Sequence, residues 1–252
     1  MSLPILLINL AESRSRLDCA QQELNKAGIS FERLEATDGR KIAKADFEKI
    51  THWDKTAFYK PLSPGEVGCY LSHVSAAEKI VNEDWPYALV LEDDFRLAPN
   101  FNEVMALLLR NTPAGFHLIK LQGFVRGGEV VANLCTGHQI MRHRSIPTQT
   151  VAQLWSLAGA KAFLAMARPL RRPIDVQLKH WWEGDLNILY INPPIVIDGD
   201  AKGVTSTIGA RKPKGILNWF RRLRYKSKFT CQSHLNYFRR NGLLSWFRSL
   251  RR

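Results

Sequence analysis

Glu92, Asp93 and Asp94 are the residues with the clearest chemical potential. They follow the apolar run Ala88-Leu89-Val90-Leu91 and precede Phe95. Three adjacent carboxylates repel one another unless a cation lies among them. Hard divalent cations take oxygen ligands, and Mg²⁺ or Mn²⁺ commonly bridges one or two carboxylates to a substrate's phosphates. The run before the acids reads as a strand buried on both faces of an α/β sheet. Ligands of open α/β sheets bind beyond the carboxyl ends of the strands. The pattern therefore points to a metal–diphosphate site; the plainer alternative is a solvated acidic turn.

A second group of polar residues follows the other early apolar run, Ile5-Leu6-Leu7-Ile8. Asn9, Arg14 and Arg16 would stand at the mouth of that strand, where an arginine can hold a phosphate through two N–H bonds. Taken singly, each arginine also suits an ordinary helix surface.

Several elements must position these groups. A helical pattern carries Leu17, Leu24 and Ala27 on one face and stops at Gly28. Residues 29–34 read as a second strand and Thr37-Asp38-Gly39 as its turn. Strand–helix–strand is the opening of a nucleotide-binding α/β layer. Residues 40–62, with His52, Trp53, Phe58 and Tyr59, read as irregular. Pro61 to Glu66 feed a helix running to Ile80, with Gly68, Ser72 and Ala76 at four-residue spacing, which permits close packing. His73 on such a helix suits a hydrogen-bonded packing role more than a ligand role. Further on, 101–110 reads as a helix, 116–121 as a strand and 122–150 as loop with a basic patch at Arg142-His143-Arg144. Residues 153–157 read as a strand, 159–168 as a helix and 188–191 as the last core strand.

The chain has 252 residues, 45% of them hydrophobic and 10% aromatic, enough for a substantial core. Its net charge of +13 is uneven: residues 201–252 hold 14 Lys or Arg and no acid, against 22 basic and 23 acidic residues before them. An anionic partner is expected near the C-terminus. Cys19, Cys69, Cys135 and Cys231 are scattered with no CxxC pair, which opposes a zinc site or disulfide framework and suits a reducing compartment. No apolar run reaches the ~18–20 residues of a membrane span. In the tail, Ile216, Trp219, Phe220 and Leu223 recur at helical spacing, and so do Leu243, Trp246, Phe247 and Leu250. Arg221, Arg222, Arg224, Lys226, Arg248, Arg251 and Arg252 fill other faces. This is the pattern of a helix lying in a membrane interface; docking on the body or on a second subunit is the alternative.

Ile8-Asn9-Leu10 with Arg14 and Arg16, the stretch Leu62-Ser63-Pro64-Gly65-Glu66-Val67-Gly68-Cys69-Tyr70-Leu71-Ser72-His73, and Leu91-Glu92-Asp93-Asp94 together resemble glycosyltransferase family 25. These are the lipooligosaccharide and lipopolysaccharide galactosyltransferases of Gram-negative bacteria, related to collagen galactosyltransferases. The resemblance covers roughly residues 3–200. It implies an α/β, GT-A-like fold with a central mixed sheet flanked by helices over 1–200, followed by a basic amphipathic helical tail over 201–252. It also implies a UDP-sugar donor, most often UDP-galactose, a divalent metal (Mn²⁺ or Mg²⁺) and inversion at the anomeric carbon.

Glu92 to Asp94 stand where such enzymes carry a DxD motif. With Glu in first place, the metal set is Asp94 with Glu92 or Asp93 assisting. Asn9, Arg14, Arg16, Glu66, Ser72, His73, Glu92 and Asp93 form the implied donor-binding set. Transfer also needs a base to take the acceptor proton. Asp175, in Pro173-Ile174-Asp175, is the first choice, with Asp185 and Glu183 as alternatives and a helix-start role as the competing reading. Trp181 and Trp182 could stack on a sugar or pack in the core. Trp155 stands where the family has an aromatic residue. The implied partners are a lipid-linked oligosaccharide acceptor and, through the tail, the cytoplasmic face of a bacterial inner membrane. A metal-dependent hydrolase, a glycosidase and a nucleic-acid-binding protein rank below this reading, and no nucleic-acid partner is expected.

Overall fold

The computed structural model describes residues 3–51, 53–123, 125–134, 137–199 and 216–250. His52, Cys135, residues 201–215, the side chain of Ile216, Arg251 and Arg252 lie outside the described residues. In chain order the elements are β1 (Ile5–Asn9), α1 (Arg14–Lys26), β2 (Glu32–Glu35), α2 (Lys44–Ile50), α3 (Pro64–Asn82), β3 (Tyr87–Glu92), β4 (Phe95–Leu97) and α4 (Phe101–Arg110). They continue with β5 (Leu118–Lys120), β6 (Glu129–Asn133), β7 (Gln139–Arg142), β8 (Ala152–Ser156), α5 (Leu157–Met166), α6 (Ile174–Lys179), β9 (Ile188–Asn192), β10 (Val196–Asp198) and α7 (Ile216–Arg248).

Eight strands form one mixed sheet in the order β2-β1-β3-β8-β5-β9-β7-β6, and β4 pairs with β10 in a small ribbon. β1 lies parallel to both β2 and β3, with Ile8 opposite Glu92. The chain leaves β1 for β2 on one side and later returns as β3 on the other. The carboxyl ends of β1 and β3 thus open a crevice at the point where strand order reverses.

The apolar runs are continuous because both sheet faces are covered. Leu6, Ile8 and Val90 pack with Val67, Tyr70 and Val74 of α3 and with Phe163 of α5. Leu7, Leu89 and Leu91 pack on the other face with Leu24 of α1 and with Val104 and Leu108 of α4. This α/β architecture with a large mixed sheet agrees with the expected fold class.

Two stretches differ from expectation. Residues 40–62 contain α2, a short helix with no buried residue, whose Phe47 and Ile50 pack partly against the core. Residues 122–150 contain the β6–β7 hairpin at the sheet edge, bulged between Val130 and Ala132. An edge strand with one polar face and a bulge lacks a clean alternating pattern.

α3 starts with a capping box: Glu66 N–H donates to Ser63 Oγ at 3.3 Å, and Ser63 N–H donates to Glu66 Oε2 at 2.9 Å. Its first turn lies against the 36–40 loop. A Cβ at Gly68 would fall 2.4 Å from the carbonyl oxygen of Thr37, and one at Gly39 would fall 1.8 Å from that of Pro64. Only bare backbone permits this approach. One turn on, Ser72 Oγ accepts the Thr37 N–H at 2.9 Å.

α7 is a docked helix for much of its length. Tyr225 and Phe229 pack with Phe58, His180 and Trp182, Tyr237 is buried, and Ser233 Oγ donates to the Arg144 carbonyl. The tail is therefore partly a packing element, as the docking alternative anticipated. No helix among the described residues is long and apolar enough to cross a membrane.

Gly68→Ala should cost about 1–3 kcal/mol, because backbone rather than a flexible side chain meets the added carbon. A thermal melt should fall by several degrees, at roughly 2–4 °C per kcal/mol for a chain of this size. An unchanged melting temperature would contradict the close approach.

Candidate active site

The carboxyl ends of β1 and β3, the start of α1, the 36–40 loop and the first three turns of α3 enclose a cleft of about 320 Å³. Asn9, Arg16, Ser72, His73, Glu92, Asp93 and Asp94 all line it. Asn9 and Asp93, 84 positions apart, converge because β1 and β3 are adjacent and in register.

The three acids separate onto different partners. Glu92, the last residue of β3, turns toward α3. His73 Nε2 lies 3.0 Å from Glu92 Oε1, the Thr150 hydroxyl donates to the same oxygen, and Cys69 Sγ is 3.9 Å away. Asp93 turns to β1 and α1: Asn9 Nδ2 donates to its Oδ2 at 2.7 Å, and Arg16 Nη2 lies 2.5 Å from its Oδ1. The same Arg16 nitrogen lies 3.0 Å from Asp94 Oδ2. Asn9 is itself oriented by Arg33, whose Nε donates to Asn9 Oδ1 at 3.1 Å.

These surroundings set the acids apart electrostatically. Burial opposes ionisation of Glu92, but the hydrogen bond and charge of His73, the Thr150 hydroxyl and Arg16 outweigh it, and its pKa falls below the usual value. Burial dominates at Asp93 and raises its pKa despite Arg16 and Asn9. On the rim, the hydrogen bond from Arg40 holds Asp38 down to about 2.

A protein-family model described as glycosyltransferase family 25 (LPS biosynthesis protein) matches residues 2–178. The chain belongs to glycosyltransferase family 25.

The family's curated relatives are distant and longer. A glycosyltransferase 25 family member of Aedes aegypti is 28% identical over 197 residues, 75% of this chain and 32% of that protein. Procollagen galactosyltransferase 2 of Homo sapiens is 29% identical over 112 residues, 42% of this chain and 18% of its own length. A Bos taurus protein called probable inactive glycosyltransferase 25 family member 3 is 28% identical, covering 81% of this chain and 38% of that protein. The chain spans about a third of the Aedes and Bos proteins and less of the human one. A solved glycosyltransferase involved in glycosylating the major capsid of PBCV-1 aligns with 90% of this chain and all of its own, at 10% identity and a TM-score of 0.44.

Glu66 faces the cap, not the cleft: it is buried, and Lys60 Nζ donates to it at 2.9 Å. Gly68 admits the 36–40 loop and Ser72 pins it. Tyr70 packs in the core against Phe163. Cys69 and His73 face Glu92. Of the other expected donor contacts, Arg14 is exposed on α1 and is not in the cleft lining.

Oxygen donors for a hard cation are present. Asp93 Oδ1 and Asp94 Oδ2 meet at one Arg16 nitrogen, so two carboxylate oxygens already converge on a positive charge. These two fit Mg²⁺ or Mn²⁺. Glu92, expected as a ligand with Asp94, has one oxygen engaged by His73 and Thr150. Cys69, His73 and Glu92 also place one ligand atom each within 4.8 Å of the others. Burial and the charges of Glu92 and Asp175 push the Cys69 thiol well up. His73 Nδ1 is buried with no partner, whereas a metal-bound imidazole usually donates its second N–H. Hydrogen bonding accounts for this trio.

Asp175 lies in the first turn of α6, half-buried and outside the cleft lining, and its charge is felt at Cys69, Lys120 and Lys179. The alternative bases are engaged elsewhere. Glu183 forms a fork with Arg172 at 2.7 and 2.9 Å, and Asp185 pairs with Arg240. Trp181 is buried under Arg240, Trp182 packs against Phe229, and Trp155 lies in the core.

Two supporting residues escaped the sequence reading. Thr150 reaches Glu92 from a loop that carries no motif. Lys120, fully buried on β5, donates to the carbonyls of Pro147, Thr148 and Gln149 and holds that loop in place. A lysine within the run Leu118-Ile119-Lys120-Leu121 carries no sequence signal of this role.

Glu92→Gln gives a test of the His73 pairing. With a lowered folded pKa, the Glu92 carboxylate contributes stability that is complete above its ordinary value of 4.5 and is lost as pH falls through the lowered one. The melting temperature of the unmodified chain should therefore fall relative to Glu92→Gln over about pH 5 to 3. Parallel curves would overturn the assignment.

Proposed function

We propose that this chain transfers a hexose from a UDP-linked donor bound in the β1–β3 cleft to a hydroxyl of a lipooligosaccharide or lipopolysaccharide acceptor, with inversion. Galactose is the proposed hexose. The observation that carries the reading is the convergence of Asp93 and Asp94 on one cationic point inside a cleft at the strand-order reversal. Family membership alone would not suffice, since the likeness extends to a relative named as inactive. The family's description as an LPS biosynthesis protein supports the acceptor, and the human relative's name supports galactose. The acceptor would place the enzyme at the cytoplasmic face of a bacterial inner membrane.

In this reading Asp93 and Asp94 would hold Mn²⁺ or Mg²⁺, which when bound supplies charge neutralisation for the departing diphosphate. Arg16 neutralises the same carboxylates in its absence and lies where its guanidinium can turn to phosphate oxygens. Asn9 fixes the Asp93 rotamer. His73 and Thr150 fix Glu92 on the cleft wall, and the Thr37–Arg40 loop closes the side opposite the acids. Asp175 is proposed as the base that takes the acceptor proton, supported by the engagement of Glu183 and Asp185 in ion pairs.

Thermal melting with UDP and UDP-galactose, each with Mn²⁺ or EDTA, tests the donor site. At 100 times its dissociation constant a ligand stabilises by about 2.7 kcal/mol, roughly 5 °C or more here. The shift should need Mn²⁺ and should vanish in Asp94→Asn while the unliganded melt stays within about 2 °C. Absence of any UDP-dependent shift would remove the reading. For the base, Asp175→Asn should lower kcat by about 100-fold or more with KM little changed; near-normal kcat would move the role elsewhere.

A further inference from the structure

α7 has two faces with opposite fates. Tyr225, Phe229, Ser233 and Tyr237, spaced by four, form the docked stripe that continues to Arg240, whose guanidinium lies 4.3 Å from the Trp181 ring. The rest of the helix is bare. Of the twelve large apolar side chains exposed among the described residues, nine fall within residues 216–250. That concentration is not an ordinary scatter of surface leucines.

The exposed residues follow helix geometry. Phe220 and Phe238 are 18 positions apart, five turns at about 3.6 residues per turn, and so point the same way, away from the docked stripe. At Gly242 the chain takes φ 77° and ψ 176°, a conformation open to glycine, and a second helical segment begins. That segment packs Trp246 against the body and joins it through a hydrogen bond between His143 Nε2 and the Ser249 carbonyl. It presents Leu243, Leu244 and Phe247 to solvent, Leu244 at 75% exposure.

Charge decides what covers this surface. Arg222, Arg224, Lys226, Lys228 and Arg239 are exposed among the apolar groups, Arg248 pairs with Glu129 of β6, and residues 201–252 contain no acid. A second copy of the chain would bring like charge to like charge. A nucleic acid would satisfy the cations but leave the leucines and phenylalanines in water. An anionic bilayer satisfies both, since lipid phosphates meet the cations and the acyl boundary takes the apolar groups.

We propose that the free face of α7 and of the segment after Gly242 is a docking surface for an anionic lipid bilayer, while the opposite face holds the enzyme body. This stands on the helix alone and does not require the transferase reading, because vesicle binding and UDP binding are measured separately. Each cation near an anionic leaflet strengthens binding by about fivefold, so the surface should discriminate strongly by lipid charge.

The test is co-sedimentation of the full chain with vesicles of phosphatidylcholine alone or of equal parts phosphatidylcholine and phosphatidylglycerol. Binding should be strong to the mixed vesicles, weak to the neutral ones and reduced by salt. The double variant Leu244→Glu, Phe247→Glu should lower the partition coefficient at least ~100-fold with an unchanged circular-dichroism melt, because neither side chain is buried. The double variant Lys26→Gln, Arg110→Gln makes the same change in net charge on the α1–α4 side of the sheet, away from the tail, and should lose less than about tenfold. The proposal is overturned if the unmodified chain ignores the mixed vesicles, if the tail variant still binds them, or if the charge control loses as much. It is also overturned if the tail substitutions only convert a dimer to a monomer, or if duplex DNA is bound in preference to vesicles.

Discussion

Three consecutive carboxylates at the end of a buried strand cannot share one environment, and the architecture around β3 resolves that repulsion. The pleat sends Glu92 and Asp93 to opposite sides of the strand, where different partners wait. Glu92 meets an imidazole on α3 and a hydroxyl from the 145–151 loop, and Asp93 meets an amide on β1 and a guanidinium on α1. Asp94 then shares that guanidinium. Leaving any of these acids buried without its partner would cost several kcal/mol. The positions of α1, α3 and the 145–151 loop relative to β3 are thus tied together by the charge of three adjacent residues.

The cleft follows from the same arrangement. Arg16 can reach two acids only because α1 begins at the carboxyl end of β1, and β1 lies beside β3. The opposite wall needs a loop laid directly on a helix, which is why Gly39 and Gly68 carry no side chain. Lys120, fully buried on β5, fastens the loop that delivers Thr150. Each wall of the site is therefore held by an interaction between segments far apart in the chain.

The C-terminal helix has the same dual character as the acid cluster, with two sets of residues serving different neighbours. Its aromatic stripe completes the packing around His180 and Trp182, and Arg240 covers the buried Trp181. Removing the helix would therefore strip the body as well as the surface. A face substitution separates the two roles where a deletion cannot.

The sequence by itself determined the α/β class, the buried strands β1 and β3, the placement of the acids at a strand end, the α3 motif and the charge imbalance of the tail. These depend on local periodicity and residue type, which the chain carries without its partners. Asn9, Arg16, His73 and Asp93, singled out by residue type and position in the sequence, all line the β1–β3 cleft. Tertiary structure alone decided that Glu92 serves His73 while Asp93 joins Asp94 at Arg16, because the choice depends on which helix lies on each side of β3. It alone turned Glu66 into a cap, set Arg14 outside the cleft, engaged Glu183 and Asp185 elsewhere, and divided the tail into a docked face and a bare one. Adjacent residues in a strand point in opposite directions, so what each can do is settled by the element that the fold brings against it.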